Sequence, residues 1–411
     1  MIKIYLLSFV LLIFSSVLFS QNIKIFSLKV YTNNDQTSLP VVTSDPSGKF
    51  DLQIEFDLQA DIKPELSAVF KFCGKDWTPT GNIFLSNFGK NIARNLNLEI
   101  LPNSVSNARY HFKGSFPGGR SDLEFPYSGK WMFFITDQYD TSKIYASGKF
   151  YVVFPAVILS ATKKNEQLED KNYFPKDLMN IFNITASFNL PGELYPGYVD
   201  HVEIVENHKI DYPVIVDRKF NTMKRQFYWD GARKFSFTAR DIQPGNEYRQ
   251  ADLTDINRFN SPNVRAQFDG MEYSRFFKEG PRDHNGGSIL TDYKNPNAAY
   301  MNVKFSIHPP DEIAGDIFLV GAFNNWDLSA KYRMNNLAGV YEITIPLKRG
   351  VYDYQYVLAD YINGEIKNAD WLTLEGNSWE TSNQYSIFLY YKDPNYGGYY
   401  RIIGYTKIIT R

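Results

Sequence analysis

Phe50-Asp51-Leu52-Gln53-Ile54-Glu55-Phe56-Asp57-Leu58 alternates apolar with polar side chains at every step. Successive side chains of a strand point to opposite faces, so this segment reads as a β-strand with one apolar face and one polar, charged face. The same period recurs at Val303-Phe305-Ile307, Tyr341-Ile343-Ile345-Leu347 and Tyr352-Tyr354-Tyr356. Shorter stretches follow it at Ala68–Phe72, Trp131–Ile135, Lys149–Val153, Val202–Val205 and Phe235–Phe237. Turn residues cluster between them, as in Asp45-Pro46-Ser47-Gly48, Pro117-Gly118-Gly119 and Pro394-Asn395-Tyr396-Gly397-Gly398. Helical periodicity is nearly absent; the spacing predicts only a short helix near Lys176–Asn183.

Composition points the same way. Aromatics reach 16%, with 29 Tyr and 32 Phe, and such side chains favour half-buried pleated surfaces. The expectation is an all-β chain of three tandem Ig-like or fibronectin-like sandwiches. The expected divisions are a leader at 1–20, an N-terminal sandwich at 21–155, a second sandwich-like domain at 156–295 and a C-terminal domain at 296–411.

Residues 1–20 read as a cleaved secretory signal. Lys3 supplies the positive end, and Ile4–Phe19 is apolar apart from Ser8, Ser15 and Ser16. About sixteen residues fall short of the roughly 20 that a spanning helix needs. Ser20-Gln21 is the expected cleavage point, and no span is expected in the mature form. Lys plus Arg number 44 against 45 Asp plus Glu, a net charge of −1. Such a balance lacks the basic field of a nucleic-acid binder.

Little in the chain points to chemistry. Cys73 is the single cysteine and reads as a packing residue between Phe72 and Gly74. His111, His201, His208, His284 and His308 show no metal-ligand spacing and read as surface residues. Asp283-His284-Asn285-Gly286-Gly287 reads as a tight turn, since it lacks the regular oxygen ligands of a calcium loop. Neither a nucleophile elbow nor a phosphate loop occurs. No enzyme activity, cofactor or metal site is expected.

One local constellation stands out. Gly321-Ala322-Phe323-Asn324-Asn325-Trp326, followed by Gly339-Val340-Tyr341-Glu342 and Tyr352-Tyr354-Tyr356, resembles the glycogen-binding module of starch-debranching enzymes and of an energy-sensing kinase. The resemblance implies that the last domain is an early-set Ig-like domain and that Trp326 stacks on a sugar ring, with Trp371 as a second platform; Gln355 replaces a lysine of the module's pattern. Trp326 also fits a purely structural role in its turn.

Taken end to end, the chain resembles the plug protein family of the type IX secretion system of Bacteroidota. Cys73, Trp77 and Pro79 fit the family's H-C-x-x-x-W-x-P-S element, with Phe72 in place of its His. Ser128-Gly129-Lys130-Trp131 is similar to S-G-N-Y, and Glu206-Asn207-His208-Lys209 to Q-N-x-R. Gly245-Asn246-Glu247-Tyr248-Arg249 is similar to G-N-E-F-R, and Glu380-Thr381-Ser382-Asn383-Gln384-Tyr385 to E-T-E-N-x-Y. Arg401-Ile402-Ile403-Gly404 closes the series. The resemblance implies a periplasmic, non-enzymatic protein that binds and plugs a giant outer-membrane β-barrel translocon. A free-standing carbohydrate-binding protein is the alternative. Asn246, Glu247 and Arg249 are expected to serve structure before partner contact.

Overall fold

The computed structural model describes residues 22–43, 51–86, 89–119, 123–168, 179–267, 270–275, 281–310, 313 and 315–410. The expected leader lies outside them, as does the turn at 45–48. Among the described residues the regular structure is β-strand with short 3-10 turns. No helix there is long and apolar enough to cross a membrane.

The first unit contains β1 (Lys24–Thr32), β2 (Val41–Thr43), β3 (Leu52–Gln59), β4 (Leu66–Cys73) and β5 (Ile92–Ala93). It continues through β6 (Glu99–Ile100), β7 (Tyr110–Phe116), β8 (Gly129–Asp137) and β9 (Ile144–Val153). One sheet runs β1-β3-β7-β6, the other β2-β9-β8-β4-β5. The alternating apolar set of β3 meets Phe70, Phe133 and Phe150 of the second sheet in one core, as the period requires. The polar set of β3 is largely buried as well. Glu55 and Asp57 are 5% and 1% exposed, because another unit covers that face.

Next come β10 (Ser160–Gln167), β11 (Asn180–Asn189), β12 (Val199–Glu206), β13 (Val214–Asp217), β14 (Arg225–Trp229) and β15 (Lys234–Ile242). Residues 180–183 open β11 where a short helix was expected; 176–178 lie outside the described residues. Ile181, Phe182 and Ile184 are branched or aromatic, which suits a strand.

A third group holds β16 (Arg249–Asp252), β17 (Asn263–Arg265), β18 (Glu272–Tyr273), β19 (Ser288–Leu290) and β20 (Tyr300–His308). It continues with β21 (Asp316–Gly321), β22 (Asn335–Leu337), β23 (Val340–Lys348), β24 (Gly350–Ile362) and β25 (Glu365–Asp370). Sheet β16-β24-β19, extended by β21 and β25 on β24, lies against sheet β17-β20-β23-β22, with β18 on β20. Val303, Phe305, Leu319 and Tyr354 pack between them.

The last two strands, β26 (Gln384–Asp393) and β27 (Tyr399–Ile409), do not stay with this group. They complete the sheet β13-β12-β26-β27 of the middle unit, opposite β10-β11-β15-β14. Ile204 faces Ile387 and Val202 faces Leu389 across β12 and β26, and these side chains share a core with Phe235 and Phe237. Sheet membership therefore crosses the expected 295/296 boundary in both directions. We propose a division by shared sheets: β1–β9, β10–β15 with β26–β27, and β16–β25. Alternation reveals a strand but not its partner, so a returning C-terminal hairpin has no local signature.

Candidate functional site: three carboxylate seams between the units

Where the first unit meets the third, two antiparallel pairs present their side chains to one another. Asp57 and His111 are register partners on β3 and β7, and Tyr300 and Lys348 on β20 and β23. His111 Nδ1 lies 2.7 Å from Asp57 Oδ1. Tyr300 donates its hydroxyl to Asp57 Oδ2 at 2.8 Å, and the Lys348 ammonium sits 2.8 Å from the same oxygen. The Asp57, His111 and Lys348 side chains are each 1% exposed. Burial by itself pushes the Asp57 carboxyl up, but His111 and Lys348 outweigh it and hold the group below its ordinary value. The His111 ring also stacks on Tyr293, with centroids 3.8 Å apart.

The seam between the first and middle units repeats the chemistry. Glu203 on β12 accepts from Lys130 of β8 at 2.8 Å and from the Tyr390 hydroxyl of β26 at 2.9 Å. His201, on the same face two residues earlier, lies 3.6 Å from Glu203 and stacks on Tyr390 at 4.3 Å. Lys130 and Glu203 are 3% and 1% exposed. Here too burial pushes the carboxyl up, while His201 and Lys130 hold it down. Lys130 stands where the family pattern has Asn, so a departure from that pattern carries a buried ion pair.

The third seam joins the middle and third units. Glu206, at the end of β12, accepts from Lys209 at 2.9 Å and from the Tyr248 hydroxyl at 3.1 Å. The Lys209 ammonium lies 4.8, 5.3 and 5.9 Å from the ring centres of Trp371, Tyr248 and Trp326, a favourable cation–π setting. This seam borders a cavity of about 620 Å³ lined by Glu206, Lys209, Tyr212, Tyr248 and Trp371, among others. Each seam thus holds a carboxylate that accepts from one lysine and one tyrosine.

The motif residues at 206–209, 245–249 and 380–385 converge beside this third seam. Asn207 donates to Asn383 at 2.8 Å and takes the Gln384 amide at 2.8 Å. Glu247 accepts from the Ser382 amide and hydroxyl at 2.7 and 2.8 Å. Arg249 pairs with Glu375 at 2.9 Å and with Glu272 at 2.9 Å. Asn246, Glu247 and Arg249 are all buried, so they satisfy backbone and side-chain groups inside the protein.

The two sugar-stacking candidates gather around Lys209 but differ in exposure. Trp326 is 1% exposed, and its Nε1 donates to the Gly286 carbonyl at 2.8 Å. It is a packing residue, and no sugar reaches its faces. Trp371 is half-buried on the cavity wall, with Tyr212 edge-on at 5.0 Å.

The histidines depart from the surface reading. His111 and His201 are buried, and His208 bonds to the Thr37 carbonyl at 2.9 Å. Burial lowers the His208 pKa to about 4, so this imidazole is neutral near pH 7. Cys73 is buried, and desolvation pushes its thiol up to about 12, which suppresses the reactive thiolate. Among the described residues no group of three or more His, Cys, Asp and Glu side chains is placed to hold a metal ion.

The turn at 283–287 wraps a carboxylate rather than a cation. The His284 and Gly286 amides donate to Asp353 Oδ2 at 2.8 and 2.9 Å. Tyr248 and Asn285 donate their amides to Asp283. Burial, followed for Asp283 by the charge of Asp353, raises both carboxyls.

The seam carboxylates escape a sequence reading because each looks like an ordinary solvent-facing residue in an alternating strand. Only the placement of Glu206 and Lys209 within the Q-N-x-R-like turn gave any signal.

The fold and these seams define a tandem β-sandwich protein with interlocked units. Residues 25–154, the first sandwich, match the family model of the Type 9 secretion system plug protein 1st domain. That match supports the family indicated by the motifs; the model describes a secretion-system plug domain, not an enzyme. The crystal structure of a hypothetical protein from Parabacteroides merdae superposes with a TM-score of 0.77 at 21% identity. It covers 95% of this chain and 98% of that one, and shows a shared fold. The teleost fish polymeric Ig receptor ectodomain aligns over 53% of this chain and 87% of its own, with 10% identity and a TM-score of 0.14. A bacterial ice-binding adhesin aligns over 95% and 97%, with 9% identity and a TM-score of 0.15. Neither of those two bears on the fold. No curated protein matches the chain.

Proposed function

We propose that this chain is a non-enzymatic periplasmic component of the type IX secretion system that binds and plugs its giant outer-membrane translocon. The observation that carries the reading is the match of the first sandwich to the plug-protein family. The seams supply a physical rationale. A plug acts by occupying space, so it must resist bending between its units as well as compression within them. Crystal-like packing gives the second property. Carboxylates bonded across every pair of units, fully buried in two of the three seams, give the first. The apolar stretch at 4–19 is the export signal that delivers the chain to the periplasm.

The test is to tag the full-length protein in its native host, extract the envelope gently and identify what co-purifies by mass spectrometry. Recovery of the giant outer-membrane barrel is the expected result. Recovery of glycan-processing proteins alone would overturn the proposal. The alternative, a free-standing carbohydrate-binding protein, now rests on Trp371 alone, which lines an open cavity. Retardation on a glycogen gel, lost in Trp371→Ala, would favour it.

A further inference from the structure

The sheet β10-β11-β15-β14 buries one face in the middle core and turns the other outward. Phe235, Phe237, Ile184 and Phe188 point in, so the residues between them point out. Register lines these up in two rows. Ser160 pairs with Ser187, Ser187 with Ser236, and Ser236 with Tyr228. Thr162 pairs with Thr185, Thr185 with Thr238, and Thr238 with Gln226. Thr185 and Thr238 hydroxyls lie 3.0 Å apart. None of the eight carries a charge, in a chain that is 22% charged. Charge returns beyond these two rows, where Lys164 and Glu166 of β10 form an ion pair at 2.8 Å, and on the outward face of the third unit, where Lys304 and Glu342 pair at 2.6 Å.

This uncharged field is framed. Lys234 and Arg240 stand exposed at the two ends of β15, and neither has a carboxylate within 4 Å among the described residues. On the β14 side, Met223, Phe220 and Tyr228 are 88%, 71% and 61% exposed. Sheet extension is blocked there. The Thr222 amide bonds to the Arg225 carbonyl at 2.7 Å, the Arg225 amide to Thr222 Oγ1 at 3.0 Å, and the Phe227 amide to Asn221 Oδ1 at 3.1 Å. A partner on the β14 side therefore takes the face, not that edge.

We infer that the Ser/Thr face of the middle unit docks on an uncharged, hydroxyl- and amide-bearing β-surface of the translocon barrel, with acidic residues at that surface's margin. The inference rests on the plug reading and names where the contact falls. Short hydroxyl side chains lose little entropy on contact, and each can donate or accept. An uncharged centre avoids the cost of desolvating ions, while Lys234 and Arg240 at the rim select acidic neighbours. Strand spacing and rise give the two rows an area on the order of 250 Å². That is far below the roughly 800 Å² per partner of a stable dimer. A second copy of this chain is therefore a poor occupant, whereas a plug held at several places suits a small, rigid contact.

The experiment places a photo-crosslinking residue at exposed Tyr228 in the full-length protein, in its native host. In parallel it measures barrel recovery for Thr238→Glu, with Thr238→Ser and Thr344→Glu on the third unit as controls. The expected result is a crosslink to the barrel, and a loss of recovery of about tenfold or more in Thr238→Glu alone, since a lone charge facing an uncharged or acidic surface costs more than 1.4 kcal/mol. Thermal unfolding of each variant separates this from misfolding, and the crosslink stands independently of it. Full recovery with Thr238→Glu and no barrel crosslink at Tyr228 would overturn the inference and leave the plug reading intact. So would a crosslink to a second copy, or retention on a glycan gel that Thr238→Glu abolishes. Failure of the unaltered protein to recover any barrel would overturn both.

Discussion

The Asp57 and Glu206 clusters use the same three groups and sit in opposite surroundings. At Asp57 the carboxylate and its lysine are each 1% exposed. At Glu206 they are 23% and 11% exposed and border a cavity. In the dry seam neither charge has water to fall back on, so each depends on the other. In the wet seam solvent replaces part of whatever is lost. One chemistry thus gives a brittle joint between the first and third units and a forgiving one between the middle and third.

The largest expected effect breaks the dry joint. Lys348→Met keeps most of the side-chain volume and removes the ammonium, leaving Asp57 buried with His111 and Tyr300. A destabilisation of about 3–5 kcal/mol is expected, read as a fall in the denaturant midpoint at unchanged slope. A midpoint within experimental error of the unaltered protein would mean that the seam does not hold the units together.

The wet joint should give less. Lys209→Ala removes one charge-assisted bond and the ammonium over three rings, while Glu206 keeps the Tyr248 hydroxyl and gains water. A loss of about 1 kcal/mol is expected, and added salt should shrink it. A cost equal to that of Lys348→Met would erase the distinction between the two seams.

The same contrast shows what the sequence can and cannot disclose. Strand β3 was legible because its inner face is set by a local period, and β20, β23 and β24 were legible for that reason too. What covers its other face was not legible: Asp57 in an alternating strand looks identical whether water or Lys348 stands opposite, nearly three hundred residues away. His111 and His201 read as surface residues on the same grounds. The hairpin of β26 and β27 was placed with the last domain because pairing with β12 is a non-local choice without a signature in either strand. At the Glu206 seam more was visible, since its ligands fall inside short motifs at 206–209 and 245–249. Even there the motifs gave positions, not their convergence.

The smallest expected effect sharpens the comparison by asking what a buried carboxyl does without a lysine. Asp283 and Asp353 lie just behind the Glu206 seam, reached by backbone amides and by Gln250 at 2.9 Å. Burial raises both in the folded state, whereas the unfolded value is near 3.9. Between those two values the folded protein binds more protons than the unfolded one. Its stability therefore falls as pH rises through that window. Asp57 behaves in the opposite sense: its lowered value contributes stability above the unfolded pKa, lost as pH falls through the folded one. Asp353→Asn keeps an oxygen for the His284 and Gly286 amides, and Gln250 can turn its carbonyl toward the new amide. The variant should gain on the unaltered protein as pH rises from 5 to 8, by less than Lys209→Ala loses, measured as the difference in denaturant midpoints. An identical pH slope in both proteins would show that Asp353 takes up no extra proton on folding, and that a buried carboxyl here needs no cation to stay ionised.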